Sequence, residues 1–219
     1  MSRHLQDLLD ELKGRLARMS ATVQQLVEHA VEAIATTDIR LAQQVVDDDS
    51  KVDDEEVKIE KAAIDLLALH QPAAGDLRFI TTVIKVNSDL ERIADCASNA
   101  AQRVLPLGRA GRYVAPADLK LMGNTVVSTL RDTNKALNLG DAVLARQVLR
   151  SDDVVDALYH QILQDMLAKM EANGHDANTD LSNIMIAKNL ERIADHCTNI
   201  AEDVIYIQSG RIIRHLHAV

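Results

Sequence analysis

The residues LERIADCASNAA (90–101) return almost letter for letter as LERIADHCTNIA (190–201). Successive residues of an α-helix turn by about 100°. With Glu91 set at zero, Asp95, Ser98 and Gln102 fall within roughly 40° of it. Ile93, Ala97, Ala101 and Val104 gather on another face. In the second copy Glu191, Asp195, Thr198 and Glu202 form the polar stripe, and Ile193, Cys197, Ala201 and Val204 the apolar one. The motif therefore reads as a packed helix with two carboxylates one turn apart on its polar side, written twice.

The repetition extends well beyond these letters. Aligning Met19 with Met122 holds the register without a gap to Asp53 and Asp156, pairing Thr22 with Thr125, Asp38 with Asp141, Val45 with Val148, Asp49 with Asp152 and Val52 with Val155. The offset is 103 residues there and 100 at LERIAD, so one loop of the second half is three residues shorter. Self-similarity of this kind marks a duplicated supersecondary unit. The expected architecture is all-α, two tandem three-helix bundles packed together.

Local signals divide the first half. Leu5, Leu8, Leu9, Leu12, Leu16, Met19, Val23, Leu26, Val27, Ala30 and Ile34 keep helical spacing. Asp38 is placed to cap a short helix, IRLAQQVV, and a further helical stretch runs from about Asp48 to Leu69. HQPAAGD (70–76) breaks it, Asp76 is placed to cap the next helix, and that helix is expected to end near Pro106. EANGHDANTD (171–180) takes the breaker's place in the second half, with Asp180 as the matching cap. These signals give a first repeat over 1–107, a linker over 108–116, a second repeat over 117–210 and a tail over 211–219.

Composition excludes several functions. With 33 acidic against 24 basic residues, a net charge of −9 and no Trp, the chain lacks the basic surface and stacking groups of a nucleic-acid binder. No apolar run approaches the roughly 18 residues of a membrane span. The opening, MSRHLQDLLDELKGRL, has the mixed charge of an amphipathic helix rather than of a signal peptide. Cys96 and Cys197 have neither CxxC nor zinc-finger spacing and read as small buried thiols of a cytoplasmic protein. Phosphate-binding loops, HExxH and dinucleotide fingerprints are absent, and no nucleophile sits beside a base, so no catalytic residue is assigned.

What remains is carboxylate. Asp49 and Asp53 open the helix before the first breaker as Asp152 and Asp156 do before the second, each pair at i, i+4. If the helices on either side of each breaker run antiparallel, these pairs come level with Glu91 and Asp95, and with Glu191 and Asp195. Each half then gathers four carboxylates. Like charges at i, i+4 cost about 0.2–0.5 kcal/mol per pair, and an oxygen-only cluster suits a hard or borderline cation such as magnesium, manganese, calcium or iron. Arg92 and Arg192 adjoin the acids but project at another angle. His196 is expected at a polar surface or an interface, and Asn99 and Asn199 are expected in helix–helix hydrogen bonds.

The doubled LERIAD, with QPAAGDLR (71–78) before the first copy and HCTNIAEDVIYIQSGRIIRH (196–215) from within the second, resembles the PhoU family over essentially the whole chain. The resemblance implies paired three-helix bundles. It further implies multinuclear clusters of iron, zinc, manganese or magnesium at Asp49, Asp53, Glu91, Asp95, Asp152, Asp156, Glu191 and Asp195. It implies a homodimeric, non-enzymatic negative regulator of phosphate-starvation signalling, coupling a phosphate ABC transporter ATPase to a sensor histidine kinase. Two other readings stay open at this point, a carboxylate-bridged metal enzyme and a metal-free acidic adaptor.

Overall fold

The computed structural model describes residues 3–111, 113–171 and 176–211. They form six helices and no strand: α1 (Arg3–Thr36), α2 (Ile39–His70), α3 (Ala74–Arg109), α4 (Ala117–Leu139), α5 (Ala142–Glu171) and α6 (Ala177–Ser209). Helices α1–α3 make one bundle and α4–α6 the other, as the duplication requires. The apolar letters of both LERIAD copies are buried in the core. None of the six helices is long and apolar enough to cross a membrane.

Several expected boundaries move. The short helix from Asp38 and the stretch from Asp48 are one continuous helix, α2. No breaker separates them, and the ion pairs Lys51–Asp48 (2.5 Å) and Lys58–Glu55 (3.6 Å) offset part of the repulsion in that acidic run. Helix α3 passes Pro106 and ends one turn later at Arg109, with the amide of Ala110 donating to Pro106 O. A proline in the last turn removes only one bond of the ladder. Asp76 caps nothing. Ala73 holds the N-cap position, and Asp76 lies in the first turn, where its charge faces the positive end of the helix dipole. In α6 the cap is Asp176, whose carboxylate accepts from Asn178 N, while Asp180 sits one turn further in and is buried. The proposed tail lies outside the described residues from 212 onward.

Asp38 and Asp141 do cap α2 and α5. Asp38 Oδ1 accepts from the amides of Arg40 and Leu41, and Asp141 Oδ1 from those of Val143 and Leu144, all within 3.1 Å. The residues just before them, Thr37 (φ 58°) and Gly140 (φ 64°), share a left-handed turn. Either Asp→Ala substitution is expected to cost about 1 kcal/mol in chemical denaturation, since two amides lose their acceptor.

Equivalent helices of the two bundles meet antiparallel. Across α3 and α6, Asp89 meets His196 and Asn199 while Lys85 lies 3.7 Å from Asp203. Across α1 and α4, Glu28 pairs with Arg131 at 2.8 Å. These two residues occupy the same position of the repeat, so a local two-fold passes between them. Beside it the contacts come in mates. Asn134 Nδ2 donates to Ser20 O, and at the related place Gly123 lies against Val31, where an added Cβ would come within 2.8 Å of Val31 Cγ1. Only a glycine admits α4 this close to α1.

Candidate metal centre

The antiparallel hairpin expected on either side of each breaker is present. Asn87 of α3 donates to Glu56 O of α2, and Asn183 of α6 reaches Met166 Sδ of α5. These contacts set α2 against α3 and α5 against α6 in the register that brings acids together. Asp49, Asp53 and Asp95 each offer an oxygen, all within 4.8 Å of one another, and Asp152, Asp156 and Asp195 do the same in the second bundle.

Three acids meet in each bundle rather than four. Arg92, expected to project elsewhere, folds back to lie 3.3 Å from Glu91 Oε2 and 3.2 Å from Asp95 Oδ2. Glu191 is taken by Lys188, whose Nζ lies 2.8 and 2.6 Å from its two oxygens. A lysine one turn before Glu191 thus does in the second half what the arginine inside the motif does in the first. Glu91 and Glu191 stand beside their clusters, each held by a cation.

The electrostatics centre on Asp49 and Asp152. Burial pushes the Asp49 carboxyl above the ordinary range; a hydrogen bond from Ser98 opposes the rise, and Asp53 and Asp95 add to it. Asp152 is raised from 3.8 to about 6, first by burial and then by the charges of Asp156 and Asp195. Glu91 is raised by burial and by Asp95. Asp49 Oδ1 and Asp152 Oδ1 are both buried without a hydrogen-bond partner. An orphaned buried carboxylate oxygen is costly, and here one occurs at the same place in each repeat. A cation on each cluster would satisfy it.

The donor chemistry fits such an ion. Each cluster is oxygen only, the set preferred by magnesium, manganese and iron over softer thiolate-seeking ions. Both cysteines are buried, and burial pushes the Cys197 thiol up to about 12, so it stays protonated. His196 is engaged 2.9 Å from Asp89. That interface role and the bond from Asn199 to Asp89 match expectation, whereas Asn99 is exposed. Two participants were not foreseen. Ser98 was placed on the acidic stripe without a role, although its position one turn after Asp95 was a usable signal. Asp89 carries no repeat signal, since Asn189 stands at its place in the second copy.

The model of the PhoU family, described as the PhoU domain, matches the chain twice, over residues 16–104 and 119–204. This chain belongs to the PhoU family. It is 34% identical to the phosphate-specific transport system accessory protein PhoU homolog of Aquifex aeolicus, over 95% of both chains. It is 36% identical to the homolog of Caulobacter vibrioides, over 92% of this chain and 88% of that one. Among solved structures, PhoU from Pseudomonas aeruginosa superposes with a TM-score of 0.90 at 34% identity, covering 94% of this chain and 99% of that one. The phosphate transport system regulatory protein PhoU from Streptococcus pneumoniae gives 0.88 at 27% identity, covering 95% and 98%. The PhoU family is one of accessory and regulatory proteins rather than enzymes, which removes the carboxylate-bridged enzyme from consideration.

Proposed function

We propose that this PhoU-family chain is a cytoplasmic negative regulator of phosphate uptake and starvation signalling. It acts as an adaptor between a phosphate ABC transporter ATPase and a sensor histidine kinase, works as a homodimer, and binds metal through its two carboxylate clusters. Residues 1–107 and 117–210 are its two three-helix repeats, joined by a linker over 108–116 and followed by a tail over 211–219. The regulatory part rests on family membership and on the transport-system names of its relatives. The metal part rests on one observation, the matched pair of orphaned oxygens at Asp49 and Asp152. Asp53, Asp95, Asp156 and Asp195 complete the clusters, with Glu91 and Glu191 within reach once their cations are displaced. The ion is iron, zinc, manganese or magnesium, and when bound it supplies positive charge that neutralises the cluster and fixes α2 to α3 and α5 to α6.

Elemental analysis of protein purified without a metal-affinity tag tests this, beside a folded variant carrying Glu91→Ala, Asp95→Ala, Glu191→Ala and Asp195→Ala. About two or more equivalents of metal are expected in the wild type, with most of it lost in the variant. Equal, negligible metal in both after reloading would leave the acids as a docking patch for basic partners, whose binding would then weaken with salt and ignore chelators.

A further inference from the structure

Two copies of one motif need not bind alike, and here the residues around them differ. Residues 47–61, which carry the α2 aspartates of the first cluster, hold eight acids and three lysines. The equivalent residues 150–164 of α5 hold three acids and one arginine. Glu56 stands close enough to repel both Asp53 and Glu91, so a further carboxylate adjoins the first cluster. In the second half Tyr159 replaces Glu56, and Lys188 replaces Ser88. Neighbouring charges act on an ion weakly through water and more strongly where burial lowers the dielectric. The first cluster is therefore the stronger attractor for a cation.

The cations that hold the fourth carboxylates differ as well. Arg92 is exposed and divided between Glu91 and Asp95, at 3.3 and 3.2 Å. An exposed pair of that kind yields readily to a competing ion. Lys188 is committed to one partner. Its Nζ lies 2.8 and 2.6 Å from the two oxygens of Glu191, whose side chain is only 14% exposed. The same Nζ stands 5.2 Å from the centre of the Tyr159 ring, whose face favours a cation. The ammonium thus has a carboxylate on one side and an aromatic ring on the other. The first half has no such seat, with Ser88 and Glu56 at these two positions. Arg192, the counterpart of Arg92, forms no ion pair among the described residues.

We propose that the two clusters are unequal. The first is the tight cation site, and the second is a weaker, exchangeable one whose fourth carboxylate, Glu191, is withheld by Lys188 acting as a tethered counter-ion. This rests on the metal reading of the clusters and gives them different tasks. The first cluster stays occupied and holds α2 to α3. The second fills and empties as the cation concentration changes, and filling that draws in Glu191 releases Lys188 from its seat on Tyr159.

Manganese(II) titrated into the metal-free full chain at pH 7.5 tests this, with the free ion counted by electron paramagnetic resonance. Two classes of site are expected, apart by about tenfold or more in affinity. Asp49→Asn with Asp53→Asn should remove the tight class, and Asp152→Asn with Asp156→Asn the weak one. Lys188→Gln should tighten the weak class by about fivefold and leave the tight class alone. That gain should vanish when Glu191→Gln is added, because the lysine acts through that carboxylate. Arg192→Gln removes the same charge from the same helix and should change either class by less than about twofold. Circular dichroism establishes that each variant is folded before titration. A single class of equal sites would overturn the inference, as would loss of the tight class in the Asp152/Asp156 pair. So would a weak class unmoved by Lys188→Gln, or moved equally by Arg192→Gln. Binding of no manganese by the wild type would reject the metal reading itself, and this inference with it.

Discussion

Asp152→Asn is expected to stabilise the metal-free protein and to destabilise the metal-loaded one. The folded-state pKa of Asp152, about 6, lies above its ordinary 3.8. The folded chain therefore holds this proton more tightly than the unfolded chain. The contribution to stability is fully present below about pH 4, declines as pH rises through the window from 3.8 to about 6, and is gone above it. A shift of this size on a fully buried group corresponds to about 3 kcal/mol, and partial exposure reduces it to about 1–2 kcal/mol. The amide cannot ionise, so the metal-free variant should melt about 2–8 °C above wild type at pH 7.5. The gain should vanish at pH 4. With metal at 100 times its dissociation constant, each occupied site contributes about 2.7 kcal/mol to the wild type, and the variant loses that contribution at the second cluster. Calorimetry at pH 4 and pH 7.5, with and without metal, gives the four melting temperatures. A metal-free variant that melts below wild type at pH 7.5 would show that the Asp152 carboxylate is not a strained group awaiting a cation.

The second large effect belongs to the apolar letters of the same motif. Ile93 and Ile193 are fully buried, on the helices through which the two bundles meet. Ile→Ala at either position should cost about 2–5 kcal/mol, combining lost burial with the cavity left behind. Arg92→Ala, one residue away and exposed, should cost less than about 0.5 kcal/mol in folding. Urea denaturation separates the two: the isoleucine variants should shift the midpoint strongly at constant slope, and the arginine variant should barely move it. Equal effects from both would mean that LERIAD is retained for its charges and not for its core. Because Ile93 and Ile193 belong to contacting helices, the double variant need not show the sum of the single costs.

Periodicity and repetition made most of the fold legible, since both are properties of letters along the chain. The two LERIAD stripes separated into buried and polar faces as the helical angle requires. Counting outward from the breakers placed Asp49 and Asp53 level with Asp95, and Asp152 and Asp156 with Asp195, because antiparallel register is set by loop position. The errors lie where neighbours decide. Asp76 and Asp180 have capping letters, but a cap depends on where the chain turns into its helix, and that point lies three residues earlier at Ala73 and four earlier at Asp176. The diversion of Glu91 and Glu191 depends on rotamers of Arg92 and Lys188 that no spacing rule contains. Asp89 meets His196 across the bundles, a contact that exists only after the halves dock.

The pair Glu28–Arg131 carries a different lesson, about heredity. A symmetry axis brings each residue near it up against its own counterpart, so two separate copies of a single bundle would oppose like with like there, glutamate with glutamate or arginine with arginine. Once both bundles are encoded by a single gene, the two codons can mutate independently. One can remain glutamate while the other becomes arginine, and repulsion becomes attraction. Fusion did more than tether two identical halves: it gave each half permission to differ.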